Sequence, residues 1–109
     1  MQQFRNLPTD HAEELAQLVQ IQPGRVVSMA FSKSEHCQMT LLAFADGESV
    51  SEECYFGDTF YYVLEGEMPI RLDGKTVRLK AGDCMAVPAN TLHAVGGTQP
   101  FKVLQITIL

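Results

Sequence analysis

The sequence predicts a single all-β domain, and three features carry that prediction. Glycine-centred turn signals stand at Asp46-Gly47, Gly57-Asp58, Glu65-Gly66, Asp73-Gly74, Gly82-Asp83 and Gly96-Gly97. From Gly47 to Gly82 they recur every eight to ten residues, the rhythm of antiparallel strands joined by tight connections. Short apolar runs lie between them instead of long stretches of helical period. The third feature is size. With 109 residues, 46% hydrophobic and 19% charged, the chain makes one ordinary globular domain whose core needs no staple.

Taken in order, residues 1–24 depart from the β pattern, and residues 25–109 form the barrel domain. Asp10 can cap a helix, and Glu13 three residues later fits a capping box. Ala12, Leu15, Ala16 and Val19 recur at helical spacing, and Pro23-Gly24 ends the run. A short N-terminal helix packed on the outside of the barrel is therefore expected. Val26–Phe31 is a strand candidate. Gln38–Phe44 is apolar on both faces, which implies a cover on each side; the N-terminal segment or a second subunit could supply the outer one. Tyr61–Leu64 has the aromatic and β-branched composition of a strand, as does Phe101–Ile108. Ile70–Leu79 alternates on both sides of Asp73-Gly74, a pair that accepts the positive φ angles of a type I′ hairpin turn.

Charge and cysteine content narrow the function. The net charge is -5, and the eight Lys and Arg are scattered singly. No basic stripe exists to neutralise phosphates, which argues against a nucleic-acid partner. No apolar run reaches the length of a membrane span, and the N-terminus lacks the apolar stretch of a signal peptide, so a cytoplasmic location is expected. Cys37, Cys54 and Cys84 are odd in number and far apart. They fit neither a disulfide framework nor a structural zinc site, and are expected to be reduced thiols packing as small apolar groups.

Two stretches carry a more specific pattern. Gly47 and Gly66 frame the first, which closes on Phe60-Tyr61-Tyr62-Val63-Leu64-Glu65-Gly66-Glu67. In the second, Gly82 is followed at fixed spacing by Pro88, Asn90, His93 and Gly97. Together they resemble the paired motifs of the cupin superfamily over about residues 38 to 109. The first family motif reads glycine, five residues, His-x-His, three or four residues, Glu, six residues, glycine. The second reads glycine, five residues, Pro-x-Gly, two residues, His, three residues, Asn. Asn90 stands where the family has glycine, and it tolerates left-handed backbone better than other non-glycine residues. The resemblance implies a cupin-like double-stranded jelly-roll barrel whose inner face forms a ligand cavity.

The departures bear on function. Metal-binding cupins use the two histidines and the glutamate of the first motif with the histidine of the second. Here Glu53 and Tyr55 hold the two histidine positions, and Thr59, or Phe60 at the longer spacing, holds the glutamate position. Only His93 matches. The resemblance places Glu53, Tyr55, Thr59 and His93 together as a ligand pocket. A divalent metal wants three or four His, Cys or carboxylate ligands. Glu53 and His93 supply two, and Cys54, Asp58, His36 or a small molecule would have to complete the shell. No cofactor is therefore expected. The expected function is binding of a small molecule around His93, by a homodimer.

The alternatives are a metal-dependent dioxygenase or isomerase with an altered ligand set, a metal-free acid–base isomerase or epimerase, and a bare scaffold. In the acid–base case His93 takes a proton, Glu53 fixes its tautomer and Tyr55 donates; some cupins that epimerise nucleotide sugars pair a histidine base with a tyrosine acid. In the scaffold case His93 only hydrogen-bonds within the wall.

Overall fold

A computed structural model describes residues 3–109; the first two residues of the expected 1–24 segment lie outside it. Among the described residues, eight strands follow one short 3-10 turn, Leu15–Leu18. They are β1 (Val26–Lys33), β2 (Cys37–Phe44), β3 (Ser49–Glu53), β4 (Asp58–Leu72), β5 (Lys75–Lys80), β6 (Cys84–Val87), β7 (His93–Gly96) and β8 (Phe101–Ile108). All pairings are antiparallel, in the order β1-β2-β8-β4-β7-β3, with β5 and β6 added on β4. The all-β prediction holds.

Strand β4 joins the two halves of the barrel. Its first part pairs with β8 and β6, and its second part with β5 and β7. The change falls just past a bulge between Val63 and Glu65, after Gly66 (φ 76), the last β4 residue paired with β8, as β5 pairing begins at Glu67. A Cβ at Gly66 would lie 2.3 Å from the Pro100 carbonyl oxygen, so close approach as well as backbone angle demands glycine there. The Asp73-Gly74 hairpin forms as the sequence implies, with φ 51 and 72 and Leu72 opposite Lys75.

Alternation sorts β2 and β8 into two faces. Inward, rows run across β2, β8 and β4: Thr40–Gln105–Tyr61, then Leu42–Val103–Val63, then Phe44 against Phe101. Phe44 and Phe101 stack with ring centroids 4.4 Å apart and seal the apolar end of the barrel. Outward, Phe31, Leu41 and Ala43 are buried with Val19, and Leu7, Leu15 and Leu18 pack against them. The doubly apolar strand thus has the N-terminal segment on its outer face. Lys102 also faces this side. Its Nζ is buried and donates to the Ala16 carbonyl at 2.7 Å, with the Glu65 carboxylate at 3.5 Å.

Two sequence expectations need correction. The N-terminal helix is only the 3-10 turn, with Glu14 at its N-cap and no side-chain cap. Asp10 and Glu13, the expected capping pair, instead clamp the His11 ring at 2.6 and 2.8 Å. The cysteines are free but do not pack inside: Cys54 and Cys84 are exposed and Cys37 is half-buried. Cys84 belongs to the outward set of β6, which alternates with inward Met85 and Val87.

Candidate functional site

Inside the barrel lies a cavity of about 260 Å³. Its polar wall is made by Thr40, Glu53, Tyr55, Tyr61, His93 and Gln105, and its apolar wall by Leu42, Phe44, Val50 and Val95. The inward rows explain this division. Polar Thr40, Gln105 and Tyr61 form one row, and the next rows toward the far end are apolar.

A bulge brings Glu53 into the cavity. Val50 pairs with Val95 and Glu53 with His93, so β3 carries one residue more than β7 between the two pairs. In a regular strand, residues three apart face opposite sides. The extra residue returns Glu53 to the side of Val50, and both line the cavity. Tyr55 follows just beyond the end of β3, and its backbone is held from across the barrel mouth. Asn90 N donates to the Tyr55 carbonyl at 2.8 Å, and Ala89 N donates to the Asp58 carboxylate at 2.8 Å. Asn90 has φ 62, the left-handed conformation its place in the motif requires.

His93 is buried and bonded at both ring nitrogens. Nδ1 faces the Thr91 carbonyl oxygen at 2.9 Å, and Nε2 faces the Tyr61 hydroxyl at 2.7 Å. A carbonyl oxygen only accepts, so Nδ1 carries the proton. In the neutral ring Nε2 then accepts the proton of Tyr61. The Tyr61 and His93 rings meet edge-on with centroids 5.8 Å apart, and Tyr55 lies 5.9 Å from His93 by the same measure. Burial pushes the Tyr61 hydroxyl well above its ordinary pKa, helped by Tyr55 and Glu53. Burial also raises Tyr55; Gln105 works against it and the Glu53 charge adds to it. Both phenols are thus held in the protonated, donating form.

Of the four pocket residues expected from the sequence, Glu53, Tyr55 and His93 line one cavity. Thr59 does not. It is buried one row beyond Tyr61, and its hydroxyl lies 2.9 Å from that of Thr107. Glu53 does not fix the His93 tautomer; the Thr91 carbonyl does. Tyr61, Gln105 and Thr40 were not foreseen. The available signal was period-two alternation: Tyr61 stands two residues from Thr59 and shares its face. The outer candidates stay outside. His36 and Cys54 are exposed, and Asp58 is bound to the Ala89 backbone.

The donor set does not fit the metal shell of the superfamily. Among the described residues no group of three or more His, Cys, Asp and Glu side chains converges. Glu53 and His93 are neighbours, but the His93 nitrogen that could bind an ion already accepts from Tyr61.

Comparison with known proteins agrees with the architecture. The Cupin domain family matches residues 40–107. The structure superposes on a cupin superfamily protein from Desulfitobacterium hafniense with a TM-score of 0.94 and 45% identity, over 97% of each chain. A 40-residue stretch is 48% identical to quercetin 2,3-dioxygenase of Bacillus subtilis (strain 168), covering 37% of this chain and 12% of that one. Another, of 66 residues, is 32% identical to tetracenomycin polyketide synthase protein TcmJ of Streptomyces glaucescens, covering 58% of this chain and 44% of that one. The chain therefore spans under half the length of these two relatives. With the family matching well over half of the chain, and the barrel, its glycine corner and the interior histidine in place, this protein belongs to the cupin family.

Proposed function

We propose that this protein binds a small organic molecule inside its barrel, in contact with Glu53, Tyr55, Tyr61 and His93, without a bound metal. The observation that carries this reading is the engagement of His93 Nε2 by Tyr61 beside a cavity of about 260 Å³. A ring nitrogen committed to a phenol serves as a wall and a hydrogen-bonding partner. Apolar walls with a few convergent polar groups are the usual make-up of a small-molecule site. Two relatives have names that refer to small organic compounds, quercetin and a tetracenomycin polyketide.

Ligand-observed NMR with a set of polar metabolites tests the reading. Binding should be lost in Val50→Phe, which fills the cavity from its apolar wall. Hits that bind Val50→Phe as well as they bind the unaltered protein would refute it.

A second reading, acid–base chemistry without metal, draws on the same hydrogen bond. Tyr61 would be the acid in place of Tyr55, because Tyr61 is the phenol bonded to His93. A ligand oxygen could take the Tyr61 proton, or a ligand proton could pass to Nε2 through the Tyr61 oxygen. The rate should then follow a bell-shaped pH profile, lost in both His93→Ala and Tyr61→Phe. Retention of rate in either variant would refute this second reading.

The proposal includes a homodimer. Phe60 and Ile106 lie in register on the outer face, and Phe60 is 38% and Ile108 58% exposed. Apolar side chains at the end of an outer sheet face gain from burial by a second copy.

A further inference from the structure

Resting on the reading of the barrel interior as a ligand site, we propose that its ligand is a small organic cation, an amine on an apolar body, with Glu53 as counter-ion. Glu53 is half-buried on the cavity wall and forms no ion pair with a described residue. No lysine or arginine is among the side chains that line the cavity. Nearby cations are committed elsewhere. Lys102 binds the Ala16 carbonyl on the outer face, and Arg71 donates to the Gly96 carbonyl at 2.8 Å. Among the described residues, the interior thus holds one carboxylate and no permanent positive charge.

That imbalance selects by charge. A carboxylate or phosphate ligand would bring a second negative charge into a half-desolvated space, which is unfavourable without a cation between them. An uncharged ligand would leave Glu53 without a counter-ion. An ammonium ligand completes a charge-assisted pair, and its remaining N–H groups have acceptors in the Gln105 side-chain carbonyl and the Thr40 and Tyr55 hydroxyl oxygens. Tyr55, Tyr61 and Phe44 line the same space, and aromatic rings hold desolvated cations favourably. Glu53 also raises the pKa of both tyrosines, so its field reaches both hydroxyls.

The apolar end sets the rest of the ligand. Leu42, Phe44, Val50 and Val95 accept a hydrocarbon body. The volume, about 260 Å³, lies below the roughly 300–1,000 Å³ of drug-sized pockets and suits one ring or a short branched chain.

The test is an amide chemical-shift titration with three probes of one shape, benzylamine, benzyl alcohol and benzoate, on the unaltered protein and on Glu53→Gln. Benzylamine should bind at least about tenfold more tightly than the alcohol, since bonds to charged groups exceed neutral ones by that order. Benzoate should bind most weakly, and Glu53→Gln should erase the advantage of the amine. If the alcohol or benzoate binds the cavity as tightly as the amine, or the preference survives in Glu53→Gln, the charge inference falls and the cavity reading stands. If none of the three shifts the signals of residues 53, 55, 61, 93 and 105, both fall.

Discussion

His93 is fixed between the Thr91 carbonyl and the Tyr61 hydroxyl, and the two bonds set its tautomer and direction. Nitrogen chemical shifts of the imidazole should show a protonated Nδ1 and a bare Nε2; the opposite tautomer would contradict the arrangement. Tyr61→Phe leaves Nε2 buried without its partner and should cost about 1–2 kcal/mol of stability in urea unfolding. The buried Tyr61 and half-buried Tyr55 phenols also predict an alkaline weakness. Their folded pKa values lie above the ordinary value near 10, so the unfolded chain releases these protons first. The stabilisation is complete below about pH 10 and is lost as pH rises through the folded values. Urea midpoints should fall above about pH 10 and fall less steeply in Tyr61→Phe; equal slopes would contradict the assignment. His93 was legible because motif spacing fixes its place. Tyr61 was missed because the family motif marks no position there, although alternation from Thr59 puts Tyr61, and not Tyr62, on the inner face.

Elements place these side chains, and their irregularities matter most. The β3 bulge returns Glu53 to the cavity side. Deleting Ser51 removes the extra residue and sets Glu53 two positions from Val50, on the same face of a now regular strand, so Glu53 should stay in the cavity and ligand binding should persist; binding lost in a folded deletion variant would refute this account of the bulge. Gly66 and Gly82 separate two kinds of glycine requirement. Both have positive φ, but a Cβ would meet the Pro100 carbonyl at 2.3 Å at Gly66 and open space at Gly82. Gly82→Ala should cost about 1–2 kcal/mol from backbone strain alone, and Gly66→Ala clearly more, as read from thermal unfolding. The hairpin at Asp73-Gly74 and the last strand were legible because alternation and turn chemistry are local. The bulge and the β4 corner arise from pairing across the chain, which local pattern does not encode. The N-terminal helix failed for a local reason: His11 takes up both carboxylates meant for the cap.

At the scale of the whole molecule, one sheet has two apolar faces with different duties. The inner face makes the cavity, and the outer face carries the N-terminal segment, tied down by Lys102 at the Ala16 carbonyl. Lys102→Ala should loosen residues 7–19 and speed their amide exchange, with little change at the inner rows. The family was legible in the framework of glycines, Pro88 and His93, because these residues fix corners and turns. The ligand was not, because the cavity is assembled from β2, β3, β4, β7 and β8, and from Tyr55 beyond the end of β3. Light scattering at micromolar concentration should return a dimer that Phe60→Lys weakens; a monomer would remove the second copy from the account. The central claim is that the interior is an organic-ligand site whose histidine is committed to Tyr61. Elemental analysis of protein purified without added metal tests it most directly. The account predicts substoichiometric Fe, Mn, Ni and Zn, unchanged in His93→Ala. One equivalent of any of them, lost in His93→Ala, would contradict it.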